Sequence, residues 1–202
     1  MPLLRKHPLS STSFIAEWRT EETVSELLRM TPLSASERRQ LDAITAPHRI
    51  AEWLTGRLLV KRLLGKQCIV RYYPCGAPFA DGSDRNISLS HSGNMVVLLA
   101  AKGPCGIDIE QTGRNYEKVW QKYMTAEEEA LIGLPTAKAI LWSGKEAVYK
   151  RLQKGEIPFV EGIRAIGFDP KTNETHYRTP YGDFRVYSYF TEDNDYIVSY
   201  TY

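Results

Sequence analysis

The sequence predicts an α+β fold arranged as a pseudo-twofold duplication of two similar α+β halves, each a small antiparallel sheet packed with a long helix. Three observations predict it. First, IAEWLTGRLLVKRLL from Ile50 lies over AILWSGKEAVYKRLQ from Ala139, with Trp53 on Trp142, Lys61 on Lys150, Arg62 on Arg151 and Leu63 on Leu152. Second, LSASERRQL from Leu33 resembles MTAEEEALI from Met124, so two similarities recur in the same order about 90 residues apart. Third, aromatic and polar residues alternate through FRVYSYF and YIVSYTY, the period of a half-buried antiparallel sheet.

The elements follow in order. Ser34 or Ser36 caps a first helix, and Pro47 starts a long one that runs through Leu64 and stops at Gly65. NISLSHS, NMVVLLAAK and GIDIE then read as strands, with Gly93-Asn94 and Gly103-Pro104 as turns. Thr125 with Glu128 three residues on has capping-box spacing. A counterpart long helix is expected from about Thr136 through Leu152, closing near Gly155. Beyond Ile163 the strands AIGFD, FRVYSYF and YIVSYTY are expected, separated by DPKTNE and TEDND. The expected halves are residues 1–101 and 102–202, and the first 30 residues support no assignment.

A chain of 202 residues, 43% apolar and 25% charged, can bury a sizeable core. Its net charge of +2 argues against a nucleic-acid binder, although residues 1–101 carry +4 and residues 102–202 carry −2. That asymmetry suits the binding of an anion through a metal ion. Cys68, Cys75 and Cys105 show no CxxC spacing, which argues against a disulfide framework and a zinc site. No apolar leader is visible in MPLLRKHPLSS, and the run MVVLLAA falls far short of the roughly 20 residues that span a bilayer. The expectation is a soluble cytoplasmic protein, without a membrane or nucleic-acid partner, and a monomer because a duplicated chain can complete its own site.

Three segments carry candidate chemistry. On a strand, GIDIE projects Asp108 and Glu110 from one face and Ile107 and Ile109 from the other. The acids are either solvated or a repelling pair relieved by a hard cation such as Mg²⁺. On a helix, Trp142, Lys145, Glu146, Tyr149 and Lys150 fall on one stripe. Either Glu146 and Lys150 form a surface pair, or Glu146 completes a metal site while Lys145 and Lys150 face phosphate. In the first copy the position of Glu146 is Arg57, as an asymmetric metal-plus-phosphate site requires. In SLSHSG, Ser90 and His91 end a strand where they can bind an anion or serve structure alone. They do not make a nucleophile pair, because strand neighbours face opposite ways.

RIAEWLTGR, CGAPF, ISLSHSG, GIDIE and WSGKEAVYK, in this order, resemble the 4′-phosphopantetheinyl transferase superfamily of the surfactin- and enterobactin-synthetase-activating type. The last two segments are the most diagnostic, and the match covers about residues 34–155. The resemblance implies that family's fold and the transfer of phosphopantetheine from coenzyme A to a serine of an apo acyl or peptidyl carrier protein. It implies Mg²⁺ held by Asp108, Glu110 and Glu146, and coenzyme A phosphates met by Lys145 and Lys150. It further implies Ser90 and His91 at the 3′-phosphate, Gly76 and Pro78 beside the adenine, and Arg49 and Arg57 as basic contributors. Glu146 is the candidate base for the serine, and Lys150 alternatively assists the leaving group. The sequence departs from the family where Ala77 replaces the lysine of a GKP triplet, which bears on coenzyme A affinity. A non-catalytic coenzyme A or carrier-binding protein and a Mg²⁺-dependent pyrophosphate hydrolase are the competing readings.

Overall fold

The computed structural model describes residues 4–202. The chain divides into two units, Met1–Pro104 and Cys105–Tyr202.

Unit 1 opens with a hairpin, β1 (Leu4–Pro8) and β2 (Phe14–Arg19). Three helices follow, α1 (Val24–Met30), α2 (Ala35–Asp42) and α3 (Pro47–Leu64), and then β3 (Ile69–Tyr72), β4 (Pro78–Asp81), β5 (Asn86–Ser92) and β6 (Met95–Ala101). The sheet order is β1-β2-β6-β5-β4-β3 with antiparallel pairing. Leu54, Leu58 and Leu59 of α3 bury against Trp18, Ile87 and Leu98 of the sheet.

Unit 2 starts with β7 (Gly106–Gln111), then a single 3₁₀ turn at Trp120–Lys122 and helices α4 (Ala126–Ile132), α5 (Ala137–Leu152) and α6 (Phe159–Gly162). It ends with β8 (Arg164–Asp169), β9 (Glu174–Thr179), β10 (Gly182–Phe190) and β11 (Tyr196–Thr201). Its sheet order is β7-β11-β10-β9-β8, again antiparallel. Setting β2 on β7, β3 on β8, and so on to β6 on β11, makes this the order of unit 1 without its edge strand β1. The duplication expected from two short similarities therefore extends to the whole topology.

Both units share a buried latch. In unit 1, Ser34 caps α2 in a capping box with Glu37, whose carboxylate also takes Lys61 Nζ at 3.1 Å, and Lys61 donates to Cys68 O at 2.8 Å. In unit 2, Thr125 caps α4 in a capping box with Glu128, which takes Lys145 Nζ at 2.8 Å, and Lys145 donates to Phe159 O at 3.0 Å. Each latch ties a short helix, a long helix and the segment after it, and each charge is compensated where water does not reach. The repeat aligns Lys61 with Lys150, yet the lysine of the second latch is Lys145, five positions earlier on its helix. Lys150 is thereby released for another partner.

Several elements differ from expectation. The first 30 residues supply β1, β2 and α1. β3 and β4 are short strands flanking the hairpin tip, and β9 begins at the end of the stretch expected to be a separator. In β9 the residues Thr175, Tyr177 and Thr179 are buried while His176 and Arg178 point outward, so no aromatic run announces it. Helix α5 stops at Leu152, where Gln153 adopts the left-handed conformation (φ 52°) and donates its N–H to Tyr149 O, two residues before Gly155 (φ 78°). Among the described residues no helix is long and apolar enough to cross a membrane, and no disulfide forms.

Candidate active site

Two glycines seat the long helix of unit 2. A Cβ on Gly106 would stand 1.9 Å from Ala147 O, so β7 touches the backbone of α5 where only glycine fits. A Cβ on Gly144 would stand 2.2 Å from the Tyr177 hydroxyl, fixing the same helix against β9. These contacts set GIDIE against WSGKEAVYK. Asp108, 5% exposed, accepts from Lys150 Nζ at 2.6 Å, and the same ammonium donates to Ile107 O at 3.1 Å. One residue pair along, Glu110 Oε1 accepts from Trp142 Nε1 at 2.6 Å, and Arg114 Nη1 donates to both Glu110 oxygens at 2.9 and 3.0 Å. Ile107 and Ile109 are buried, as the alternation of the strand requires.

Glu146 completes the group electrostatically. Burial pushes its carboxyl up to about 7; Lys150 opposes the shift, and the charges of Asp108 and Glu110 add to it. Burial also raises the Glu110 carboxyl, with Asp108 adding, against the lowering by Trp142 and Arg114. Three carboxyl groups thus repel one another in a partly dry site, and all their donors are hard oxygens. That chemistry fits a divalent ion such as Mg²⁺. The side chains as they stand serve internal cations instead, and among the described residues no three acidic, histidine or cysteine side chains are grouped as a ready ion cage. Lys150 and Arg114 are the cations with which an ion bound here would compete for Asp108 and Glu110.

Lys145 lies elsewhere. It is fully buried, and Glu128 and Phe159 O take up its ammonium. Burial lowers its pKa, against the raising effect of Glu128. The helical stripe therefore splits: Trp142, Glu146 and Lys150 flank the acids of β7, while Lys145 joins the latch.

In unit 1, Arg49 and His91 meet. Arg49 Nη1 lies 3.2 Å from His91 Nε2 and 3.1 Å from Glu52 Oε2, and His91 Nδ1 lies 3.3 Å from the same carboxylate oxygen. Ser90, the preceding residue, is 8% exposed on the opposite face of β5. Arg57 is 3% exposed, stacks at 3.7 Å over the Trp53 ring and donates to Tyr72 Oη at 2.9 Å. No carboxylate pairs with it among the described residues, its Nε has no acceptor, and burial lowers its pKa. Gly76 (φ 85°) lies in the turn between β3 and β4, where Tyr73 N–H bonds Ala77 O, and Pro78 opens β4.

The family model described as the 4′-phosphopantetheinyl transferase superfamily matches residues 104–201, nearly all of unit 2. The second unit belongs to the 4′-phosphopantetheinyl transferase superfamily. No curated protein is similar enough to the chain to count as a match. The matched segment contains both diagnostic stretches of this transferase superfamily, and it is where the structure joins Asp108 to Lys150 and Glu110 to Trp142.

Sequence reasoning missed Arg114, Glu128 and Glu52. Glu52 had a signal, lying three residues after Arg49 on one helix. Glu128 was read only as a cap. Arg114 lies four residues after Glu110, but that spacing carries no meaning for a strand running into a turn.

Proposed function

We propose that this chain is a 4′-phosphopantetheinyl transferase that moves the phosphopantetheine arm of coenzyme A to a serine of an apo acyl or peptidyl carrier protein, releasing adenosine 3′,5′-bisphosphate. The observation that carries the reading is the junction of GIDIE and WSGKEAVYK, in which Lys150 reaches Asp108 and Glu146 is raised by both acids of β7. Asp108, Glu110 and Glu146 are the proposed ligands of Mg²⁺, which when bound neutralises pyrophosphate charge and stabilises the leaving phosphate.

The chain's own groups supply the remainder. Glu146, with a carboxyl that titrates near neutrality, is poised to take the proton of the carrier serine. Lys150, about a quarter exposed and paired with Asp108, is the proposed cation for a phosphate oxygen. Trp142, donating to Glu110, holds the second acid in place. In unit 1, Arg57, which has no carboxylate ion pair among the described residues, is the kind of buried cation that an anionic ligand stabilises. Arg49, Ser90 and His91 are proposed contacts of the 3′-phosphate, and Gly76 and Pro78 of the adenine. Lys145 acts on phosphate only by leaving Glu128, so its proposed role is to hold α5 rather than to touch coenzyme A.

The test is incubation with coenzyme A, Mg²⁺ and a panel of apo carrier proteins, read by intact mass. A phosphopantetheine increment on at least one carrier supports the reading. Release of phosphopantetheine from coenzyme A without any carrier would show a hydrolase instead, and tight coenzyme A binding without turnover a non-catalytic binder.

A further inference from the structure

Arg114 occupies a distinctive position in unit 2. It lies in the turn that leaves β7, where its N–H bonds Gln111 O at 3.3 Å. One guanidinium nitrogen serves both oxygens of Glu110, and one of those oxygens also accepts from Trp142. A carboxylate so engaged has little lone-pair capacity left for a metal ion. Arg114 also lines a pocket of about 210 Å³ with Tyr116, Val119, Lys122, Tyr123 and Trp142. Its charge stands 5.9 Å from the Tyr116 ring centre, and the Tyr123 and Trp142 rings meet edge to face at 4.5 Å.

Resting on the metal-assisted reading above, we propose that Arg114 is the resident counter-cation of Glu110, that it and a divalent ion exclude one another there, and that the aromatic pocket receives it when displaced. Arginine does not lose its charge at any physiological pH, so it yields the carboxylate only by moving. Movement is open to it, because its side chain is 49% exposed whereas that of Glu110 is 12% exposed. Aromatic faces beside it lower the cost of leaving, since a guanidinium is held well over a ring. Lys150 is a different case: it is anchored to Ile107 O as well as to Asp108 and stands on a packed helix. Arg114 is thus a positioning residue that sets the threshold of ion binding, not a group that touches substrate.

The experiment is Mn²⁺ titration of the full chain freed of divalent ions, with free Mn²⁺ read by electron paramagnetic resonance. The chains are wild type, Arg114→Gln, Arg114→Lys and the double variant Asp108→Asn/Glu146→Gln. Arg114→Gln should bind Mn²⁺ about fivefold more tightly than wild type, the size of one half-exposed ion pair. Arg114→Lys, which keeps the charge but not the fork, should fall between the two. Equal or weaker binding by Arg114→Gln overturns this inference and leaves the metal reading standing. Equal binding by wild type and the double variant overturns both.

Discussion

Removing the charge of Glu146 should stabilise the fold in a way that depends on pH. In the folded chain the carboxyl titrates near 7 against an ordinary value of 4.5, so the folded state holds the proton more tightly than the unfolded one. As pH rises through that window the unfolded chain ionises first, and unfolding releases a proton. The stability contributed by neutral Glu146 is therefore lost progressively between about 4.5 and 7 and stays lost above. At 1.36 kcal/mol per unit the full gap is about 3 kcal/mol, and partial solvent access at the site reduces it to about 2 kcal/mol. Glu146→Gln, neutral at every pH, escapes the loss. Denaturant unfolding of wild type and variant, followed by circular dichroism, should show the variant gaining about 2 kcal/mol between pH 5 and pH 8. A difference that stays flat across this range, or shrinks, refutes the electrostatic description of the site. The same substitution should abolish transfer, since a strained acid at a catalytic site trades stability for function.

Other expectations rest on individual contacts. Lys145→Met leaves Glu128 charged and buried and should cost on the order of 3–5 kcal/mol of unfolding free energy by urea denaturation. Lys61→Met should cost a similar amount through the equivalent latch. Gly106→Ala forces a methyl onto Ala147 O and should lower the melting temperature by several degrees or prevent soluble expression, whereas Gly103→Ala, with no neighbour within 4 Å of the added carbon, should melt like wild type. Arg57→Met should weaken coenzyme A binding in calorimetry while leaving the melting temperature within a few degrees, because among the described residues no carboxylate pairs with that guanidinium.

The fold was legible where periodicity and caps agreed. Pro47, Gly65, the cap expected at Ser34 or Ser36 and the box Thr125/Glu128 marked helices that the structure contains, and the repeat led to the shared strand order. It was illegible at β1 and β9, because short strands with charged outer faces look like loops until a neighbouring strand pairs with them, and at β2, where Glu17 is buried inside an otherwise apolar strand. At the candidate site, strand alternation correctly grouped Asp108 with Glu110, and the helical stripe brought Glu146 and Lys150 beside them. The stripe could not separate Lys145 from Lys150. A turn and a half of helix turns one ammonium toward a capping glutamate and the other toward a strand, and that choice belongs to tertiary packing.

The most direct test compares wild type with Asp108→Ala, matched by circular dichroism, for the mass gained by a carrier serine from coenzyme A with and without Mg²⁺. The account predicts modification by wild type with Mg²⁺ only, and none by the variant. Modification that proceeds equally in Asp108→Ala, or that is indifferent to Mg²⁺, contradicts it.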